Sequence, residues 1–470
     1  MVSVSGTRGV VGTDLTPELV ARQAAALGAW ARSSGKRAVV LARDSRTSGP
    51  MFAHAAAAGL LSVGCDVIDL GVVPTPTAQL AVEHHGAGAG LILTASHNPI
   101  EWNALKYVGP DGIFLDATAG ALVRALAERG PPRAGWDGLG SVREDREAVA
   151  RHLDLVLDLP EVDREAIRRR RFRVALDCVR GAGGAVIPDL LERLGCLVEG
   201  INLETDGRFP REPEPIPENL KELGDLVRRA GADVGMAVDP DVDRLALVDE
   251  RGEAIGEDYT LAFAVRAVLG RTERRNDAKT QGGGGGEDVA SLRPRVDTPP
   301  PVVVANLSTS LVVEDAAREG GATFLRAPVG EANVARMIRD EGARIGGEGN
   351  GGVILSSLHF GRDAPLGVAL VLQYLAAYER PVSDLVAAAP RYRIVKAKIK
   401  RGADLTAAYS GLKARFPDAR ADERDGLRLA WDDRWVHLRP SGTEPVIRLI
   451  AEAPTQGEAD ALLAACRSQI

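Results

Sequence analysis

The chain has 470 residues, of which 45% are hydrophobic and 26% are charged, and its formal net charge is −7. This length corresponds to roughly three or four domains, which can form several apolar cores without disulfides or structural metals. The acidic balance argues against nucleic acid as a main partner, because binding to a phosphate backbone needs a basic surface.

The cysteine pattern and the N-terminal residues indicate the compartment. Four scattered cysteines form no CxxC pair, which favours buried or idle thiols in a reducing environment over disulfides or a zinc site. The first residues lack the charged and apolar segments of a signal peptide, and no run of about 18 apolar residues predicts a membrane span. We therefore expect a cytoplasmic protein with no membrane partner.

Strand-like and helix-like segments alternate from the N-terminus. A helix is predicted to begin at Thr16-Pro17-Glu18, where an N-cap residue precedes a proline and an acid. Strands are predicted at 39–41, 67–70 and 91–93, with helices at 51–63 and 77–84 between them. This β-α-β-α-β order predicts a largely parallel sheet that is covered by helices.

The alternation restarts twice and then changes character. A second set of strands and helices begins with the strand 173–177, and a third begins with the helix 259–269. Between elements of the third set, residues 271–300 are charged, glycine-rich and proline-bearing. We predict that this segment is a disordered surface insertion, because it buries too little apolar surface to offset its ordering entropy. Near the C-terminus, an apparent hairpin and a final helix predict a smaller α+β domain. The predicted domains are 1–148, 149–254, 255–378 and 379–470.

A serine-containing segment follows the predicted strand 91–93. In Thr94-Ala-Ser96-His-Asn-Pro99, Ser96 lies where a reacting group belongs, since α/β sheets bind ligands at the carboxyl ends of parallel strands. The Gly-x-Ser-x-Gly elbow of hydrolases is absent. An ordinary Ser/Asn/Pro turn explains the same residues equally well. The segments Gly6–Gly9 and Arg43–Arg46 add cationic groups to this domain, although surface salt bridges account for them equally.

Three aspartates alternate with other residues between two apolar strands, 234–238 and 245–248. In an extended loop, Asp239, Asp241 and Asp243 point to the same side. Each like-charge pair at about 4 Å costs roughly 4 kcal/mol at an effective dielectric constant near 20. The cluster must therefore be splayed into water or neutralised by a hard cation, and oxygen ligands favour Mg²⁺ or Ca²⁺ over zinc. A solvated acidic turn is the remaining alternative.

An EF-hand calcium loop fits the aspartate spacing, and Glu250 occupies the twelfth loop position. However, Arg244 stands at the sixth position, where the sharp turn of an EF-hand needs glycine. Both flanking segments are strand-like rather than helical. We therefore disfavour an EF-hand.

A glycine-rich segment, Gly346–Gly352, carries one acid and one amide. Glu348 and Asn350 offer acceptors and a donor with little bulk around them. This combination suits sugar hydroxyls better than phosphates, because Glu348 repels a phosphate. A flexible turn is a serious alternative for so short a pattern.

A second polar segment, Arg439–Pro445, is followed closely by Arg448. Two guanidinium groups, two hydroxyls and a glycine-bearing backbone match the needs of a phosphate monoester dianion. This reading is favoured over an exposed turn with incidental arginines.

Four motifs occur along the chain in the order T-A-S-H-N-P, D-x-D-x-D-R, G-E-x-x-G and R-P-S-G-T-E-P. Together they resemble the motifs of the α-D-phosphohexomutase superfamily. The resemblance covers essentially the whole chain apart from residues 271–300. It implies an α/β fold of three similar three-layer domains with mixed, largely parallel sheets, and a smaller α+β fourth domain, around a central cleft. It also implies an isomerase that interconverts hexose 6-phosphate and hexose 1-phosphate through an enzyme phosphoserine and a hexose 1,6-bisphosphate.

The same resemblance assigns roles to individual residues. Ser96 is the phosphorylated serine, and the three aspartates hold one Mg²⁺ together with a phosphoserine oxygen. Arg8 and Lys106 lie near the reacting phosphate with acid/base roles, and a lysine base needs a lowered pKa, which neighbouring cations can produce. The implied substrate-binding residues are Arg244, Glu348, Asn350, Arg439, Ser441, Gly442, Thr443 and Arg448.

The sugar-binding motif departs from the family pattern. Many members have serine and histidine where this chain has Asn350 and Gly352, so His359 and Lys106 are candidates for the acid/base role of that histidine. The forms G-E-G-N-G-G and E-W-N-A-L-K resemble archaeal-type phosphoglucosamine mutases and their phosphomannomutase/phosphoglucomutase relatives. We expect glucosamine phosphates as substrates, with mannose or glucose phosphates as the alternative. A non-catalytic sugar-phosphate binding protein is the alternative of another class, and a monomer or homodimer is expected.

Overall fold

The computed structural model describes residues 2–3, 6–281, 299–400, 405–441 and 446–470. Its strands form four sheets that follow one another along the chain. Within the described ranges, every helix is too short or too polar to span a lipid bilayer.

The first sheet has seven strands. The strands are β1 (Val2–Ser3), β2 (Gly6–Val10), β3 (Ala38–Arg43), β4 (Asp66–Val72), β5 (Ala89–Leu93), β6 (Trp102–Val108) and β7 (Val142–Glu144). The helices are α1 (Pro17–Arg32), α2 (Gly49–Leu61), α3 (Thr75–His84) and α4 (Ala117–Arg129). The strand order is β1-β2-β6-β5-β3-β4-β7.

The predicted parallel series in this sheet is confirmed, since β3 pairs in parallel with both β4 and β5. At the predicted helix start, the Thr16 side chain accepts a hydrogen bond from the Leu19 backbone N–H, and α1 begins at Pro17. The antiparallel strands β2 and β6 are not predicted, because glycines in β2 and polar residues in β6 interrupt their apolar pattern.

The second and third sheets have four strands each. The second unit contains β8 (Arg173–Asp177), β9 (Leu197–Ile201), β10 (Val234–Val238), β11 (Leu245–Val248), α5 (Ala148–Leu157), α6 (Arg164–Arg170), α7 (Ile187–Arg193) and α8 (Lys221–Ala230). The third contains β12 (Val302–Asn306), β13 (Thr323–Ala327), β14 (Ile345–Glu348), β15 (Gly352–Leu355), α9 (Asp258–Gln281), α10 (Leu311–Glu319), α11 (Glu331–Asp340), α12 (Ala364–Tyr378) and α13 (Val382–Ala388). Each sheet is mixed, with one antiparallel pair at one edge.

Two expectations for the third unit need correction. The predicted disordered insertion is helical at its start, because α9 continues to Gln281, whereas residues 282–298 lie outside the described residues. The glycine-rich segment is mostly strand rather than loop. Its two halves pair antiparallel as β14 and β15, so only residues 349–351 form the connecting turn.

The C-terminal sheet is antiparallel throughout, which confirms the smaller α+β unit. It contains β16 (Arg393–Lys400), β17 (Arg420–Asp422), β18 (Leu427–Ala430), β19 (Trp435–Pro440) and β20 (Val446–Ala453), with α14 (Leu405–Arg415) and α15 (Gln456–Arg467). The strand order is β16-β20-β19-β18-β17.

The second and third units share one continuous apolar core. Helix α12 lies within it, and every residue from Ala364 to Leu375 is buried. A helix that is apolar on all sides needs partners on all sides, and α12 contacts α9 of its own unit as well as α5 and α6 of the second unit. This shared core brings the loop after β10 close to the turn after β14.

Candidate active site

The serine motif lies directly after β5 and is held in a left-handed backbone conformation. Ser96 has a φ of +50°, which is uncommon for a residue other than glycine. Its backbone N–H donates to Thr94 Oγ1 at 2.9 Å, and the Thr94 hydroxyl donates to Asp44 Oδ2 at 2.7 Å. Such conformations persist where surrounding contacts enforce them, and they are concentrated at functional sites.

A buried arginine organises the serine loop. Arg46 is 0% exposed and is paired with Asp44, also 0% exposed, at 3.1 Å. These two residues are therefore not the surface salt bridge that their sequence context allowed. The Arg46 guanidinium donates to four loop carbonyls, those of Ser96, Asn98, Pro99 and Trp102, at 2.6 to 2.8 Å.

The three aspartates converge, but not by strand alternation. The Val242 backbone N–H donates to the Asp239 carbonyl at 3.1 Å, and Val242 has a φ of +61°, so the segment is a tight turn between β10 and β11. One oxygen from each of Asp239, Asp241 and Asp243 lies within 4.8 Å of the others, and all three residues are buried. Because β10 and β11 form an antiparallel pair instead of flanking helices, the EF-hand is excluded.

The serine and aspartate motifs meet in space. The Ser96 hydroxyl donates to Asp239 Oδ2 at 2.8 Å, although the two residues are 143 positions apart. The other Asp239 oxygen accepts the backbone N–H groups of Asp243 and Arg244 at 3.2 Å each, which fixes the carboxylate. The serine hydroxyl and the acidic cluster are thus in direct contact.

The free oxygens of the aspartate cluster suit a hard cation. Asp241 Oδ1 and Asp243 Oδ1 are buried and have no hydrogen-bond partner within the described part of the chain. The second Asp241 oxygen accepts from Thr75 at 2.8 Å and from Lys106 at 2.6 Å. Burial, followed by the charges of the other two aspartates, raises the pKa of Asp239 well above its usual value. A divalent cation offsets the mutual repulsion of these buried carboxylates, so this set of oxygen donors fits Mg²⁺.

Arg8 and Lys106, both predicted to lie near the reacting phosphate, are on the neighbouring strands β2 and β6. Burial lowers the pKa of Lys106, but the carboxylates of Asp241 and Asp243 outweigh it and raise that pKa. The expectation that neighbouring cations lower it is therefore wrong for this arrangement. Arg8 donates to Asn98 Oδ1 at 2.5 Å, and burial lowers its pKa.

The sugar-motif acid is buried and held by four donors. Glu348 Oε1 accepts from Asn306 at 2.8 Å and from the Gly330 backbone N–H at 3.0 Å. Glu348 Oε2 accepts from Arg362 at 2.9 Å and from Asn350 at 3.4 Å. Burial raises the pKa of Glu348, but the Arg362 charge and the hydrogen bonds from Asn306 and Gly330 together lower it below its usual value, so this carboxylate stays ionised.

The phosphate motif presents two arginines on adjacent strands. Arg439 on β19 and Arg448 on β20 are directly opposite each other in the antiparallel register. Like charges in that position destabilise a sheet unless anions neutralise them, and Asp425 Oδ2 lies 3.9 Å from Arg439 Nη1. Ser441 is buried at the end of β19, and its backbone N–H donates to the Val446 carbonyl at 2.8 Å. Gly442 and Thr443 lie outside the described residues.

His359 does not replace the histidine that the sugar motif lacks. Its Nε2 atom lies 3.0 Å from Asp363 Oδ2, and His152 Nε2 lies 2.8 Å from the same oxygen. All three side chains are completely buried. Asp363 also caps α12 by accepting the Leu366 backbone N–H. This cluster joins the units and belongs to the interior.

Sequence patterns missed Thr75 and Arg362, which shape the site, and marked Asp44 and Arg46 only as part of a cationic segment or surface salt bridge. Arg362 precedes α12 and donates to Asp243 Oδ2 at 2.6 Å. No local signal marks these residues, because each acts through partners that are distant in sequence.

A buried histidine that precedes the phosphate motif leads to a prediction about pH. His437 on β19 is buried, and its Nδ1 lies 2.8 Å from Ser308 Oγ of the third unit. Burial lowers its pKa to about 4, so the folded state binds fewer protons than the unfolded state between pH 4 and the ordinary value near 6.5. Stability should therefore decrease as the pH falls through this window, by up to about 3 kcal/mol.

Urea denaturation at pH 7 and pH 4.5 measures this effect. His437→Gln should lose less unfolding free energy between the two pH values than the parent chain does. The exposed residue His54 provides the control, since His54→Gln should follow the parent. An equal loss in the parent chain and in His437→Gln would contradict the prediction.

A buried serine hydroxyl that contacts three clustered carboxylates, together with two arginines opposed on adjacent strands, is an arrangement that suits phosphoryl transfer. The comparisons with known proteins agree. Residues 2–132, 150–252 and 290–392 match the alpha/beta/alpha domains I, II and III of phosphoglucomutase/phosphomannomutase, and residues 394–469 match its C-terminal domain.

The chain is also similar to individual proteins along nearly its whole length. A phosphoglucomutase/phosphomannomutase of Thermococcus kodakarensis is 36% identical, over 97% of this chain and 94% of the relative. A probable phosphoglucosamine mutase of Methanopyrus kandleri is 36% identical with the same coverage. The crystal structure of a phosphoglucomutase/phosphomannomutase family protein from Burkholderia thailandensis superposes with a TM-score of 0.83 at 25% identity, covering 100% of this chain and 97% of that one.

The chain therefore belongs to the phosphoglucomutase/phosphomannomutase family of the α-D-phosphohexomutase superfamily. It is an isomerase of the phosphohexomutase type, and its four units are the four domains of that family.

Proposed function

We propose that this phosphohexomutase interconverts glucosamine 6-phosphate and glucosamine 1-phosphate through a phosphoserine at Ser96. The observation that carries the mutase reaction is the 2.8 Å contact between the Ser96 hydroxyl and Asp239 of the aspartate cluster. The sugar motif G-E-G-N-G-G and the similarity to the probable phosphoglucosamine mutase of Methanopyrus kandleri support glucosamine as the sugar.

In this proposal, Asp239, Asp241 and Asp243 hold one Mg²⁺. Bound Mg²⁺ supplies positive charge that neutralises the phosphoryl oxygens at Ser96. The protein adds cationic groups of its own around the same position. Arg244 Nε lies 3.7 Å from Asp243 Oδ1, and Lys106 Nζ lies 3.5 Å from Asp243 Oδ2. Both groups lie beside the aspartate cluster that the Ser96 hydroxyl contacts.

The first half-reaction moves the phosphoryl group from Ser96 to a sugar hydroxyl. The bond between phosphorus and the serine oxygen breaks, a bond to the sugar oxygen forms, and the hydroxyl proton passes to a base. The product is glucosamine 1,6-bisphosphate. After this intermediate reorients, its other phosphoryl group returns to Ser96 and the sugar oxygen regains a proton. Lys106 is the proposed acid/base group, with Arg8 beside it, because Mg²⁺ on Asp241 and Asp243 neutralises the carboxylate charges that otherwise raise the pKa of Lys106.

The non-reacting phosphate needs a second site that accepts either end of the sugar. We assign this site to the phosphate motif, where two opposed guanidinium groups offer paired hydrogen bonds to a dianion. Its proposed residues are Arg439, Ser441, Gly442, Thr443 and Arg448. Because this site recognises phosphate and not a particular carbon of the sugar, both orientations of the bisphosphate fit it.

Sugar hydroxyls are assigned to Glu348 and Asn350. A carboxylate offers about four acceptor positions, and Glu348 already fills four. The Asn350 contact is the longest, at 3.4 Å. A sugar hydroxyl therefore binds by replacing the Asn350 amide on Glu348 Oε2, which leaves Asn350 free to contact the sugar as well.

Competing substrates test this assignment. With the 6-phosphates of glucosamine, glucose and mannose measured side by side, kcat/KM should be highest for glucosamine by about tenfold or more, the value of one lost hydrogen bond. Coupled assays on the same enzyme preparation provide the comparison. A higher kcat/KM for glucose or mannose phosphate would instead identify a phosphomannomutase/phosphoglucomutase.

A further inference from the structure

Arg362 lies between the aspartate turn and the sugar motif, and contacts both. Its Nη2 donates to Asp243 Oδ2 at 2.6 Å, and its Nη1 donates to Glu348 Oε2 at 2.9 Å. Its Nε donates to Glu331 Oε2 at 3.0 Å. Arg362 and its three carboxylate partners are all buried. Each edge of one planar guanidinium is therefore committed to a different carboxylate.

The third of these carboxylates connects Arg362 to the first unit. Glu331 is the first residue of α11 and accepts from Gln79 of α3 at 3.3 Å, in addition to its contacts with Arg362. The guanidinium thus lies where elements of the first three units meet. A lysine has no planar fork and cannot serve three carboxylates in fixed directions.

The path of the Arg362 side chain requires a glycine at position 352. A Cβ atom placed on Gly352 would lie 2.2 Å from Arg362 Cδ and 2.9 Å from Arg362 Cγ. The backbone of Gly352 is not in the left-handed region, so conformation alone does not demand glycine there. Glycine at position 352 departs from the family pattern. The space that a larger side chain would fill is occupied by the Arg362 side chain, which reaches Asp243 and Glu348 through it.

We propose that Arg362 is a positioning residue shared by the cation site and the sugar site, and that glycine at position 352 leaves the space which the Arg362 side chain occupies. Through one nitrogen it orients Asp243 for the cation, and through another it orients Glu348 for the sugar. This inference rests on the proposed roles of these two carboxylates in the mutase reaction. One side chain therefore fixes the orientation of a carboxylate in each of two binding sites.

The proposal predicts that disturbing Arg362 weakens two ligands at once. In Arg362→Lys, the dissociation constants of Mg²⁺ and of glucosamine 6-phosphate, each measured by calorimetry, should both rise by about tenfold, the cost of one misaligned charged hydrogen bond. Gly352→Ala should raise both constants too, because its methyl group displaces Arg362. This second variant keeps the test available if Arg362→Lys folds poorly.

Two single-site variants act as matched controls. Thr75→Val removes a hydroxyl that donates to Asp241, so it should weaken Mg²⁺ more than the sugar phosphate. Asn306→Ala removes a donor to Glu348, so it should weaken the sugar phosphate more than Mg²⁺. If the folded Arg362→Lys and Gly352→Ala variants weaken only one ligand, or neither, the proposal is overturned.

The proposed function and this inference fail in different ways. A parent chain that binds both ligands but isomerises no glucosamine phosphate would refute the proposed function, while the binding constants of the variants would still decide the role of Arg362. A parent chain with full activity, whose Arg362→Lys variant keeps both dissociation constants, would refute only the inference.

Discussion

Ser96→Ala should abolish isomerase turnover, with kcat lowered at least about 10⁴-fold, because the phosphoryl group has no other hydroxyl to return to. Ser96 is the serine whose hydroxyl contacts Asp239, and its loop is held by Arg46 independently of that hydroxyl. The variant should therefore fold normally and still bind hexose phosphate. Turnover is measured by coupled assay and binding by calorimetry.

Intact mass provides a second readout for the same variant. The parent chain should carry one phosphoryl group after incubation with a hexose bisphosphate, and Ser96→Ala should carry none. Ser33→Ala is the control, since Ser33 is an exposed serine whose hydroxyl donates to the Trp30 carbonyl of its own helix end. A parent chain that stays fully active when completely dephosphorylated, with no bisphosphate present, would rule out the phosphoserine route.

Asp239→Asn should change stability in opposite directions with and without Mg²⁺. The three buried carboxylates repel one another, and burial already raises the pKa of Asp239. Without the cation, a neutral amide at this position should raise the free energy of unfolding by about 1 kcal/mol. With Mg²⁺ at a hundred times the dissociation constant of the parent chain, the parent should gain about 2.7 kcal/mol, and the variant well under half of that.

Urea denaturation in chelator and in Mg²⁺ measures both effects. The asparagine oxygen can still accept the backbone N–H groups of Asp243 and Arg244, so the turn itself should persist. Turnover should fall about 10³-fold, the usual cost of losing a charge-stabilising group. Asp432→Asn, at a highly exposed carboxylate, is the control. Equal Mg²⁺ stabilisation of the parent chain and of Asp239→Asn would show that the cation binds elsewhere.

These two variants also separate the mutase from a calcium-binding module. A module whose role is to bind Ca²⁺ should gain more stability from Ca²⁺ than from Mg²⁺ and should be indifferent to Ser96→Ala. The turn between β10 and β11 provides no flanking helices through which calcium binding acts in an EF-hand. We expect Mg²⁺ to restore activity to the chelated enzyme better than Ca²⁺ does.

Much of the fold was predictable because its signals are local. The strands β8, β10 and β11 have the predicted bounds, since each is a short apolar run between turn residues. The antiparallel strand β6 was missed, although it carries Lys106, because its polar residues hide the strand pattern. Helix α9 extends beyond its predicted end into a charged sequence where apolar periodicity gives no guidance.

The candidate site was predictable in its chemistry but not in its contacts. Three aspartates between two apolar strands indicated a hard cation, and the observed cluster has the buried, unpaired oxygens that such a cation needs. Strand alternation was nevertheless the wrong explanation for the convergence of the three aspartates, because the segment is a tight turn in which Val242 has a left-handed backbone conformation. His359 was considered for the sugar site, but its side chain lies in the interior against Asp363.

The amino-acid sequence by itself determined the alternation of most parallel strands and helices and the residue types available for phosphoryl transfer, because periodicity and motif composition are properties of short segments. Only the tertiary structure decided which side chains touch. Arg362 is 119 positions from Asp243, and Ser96 is 143 positions from Asp239. Such contacts depend on how four units pack around shared cores, and no local pattern carries that information.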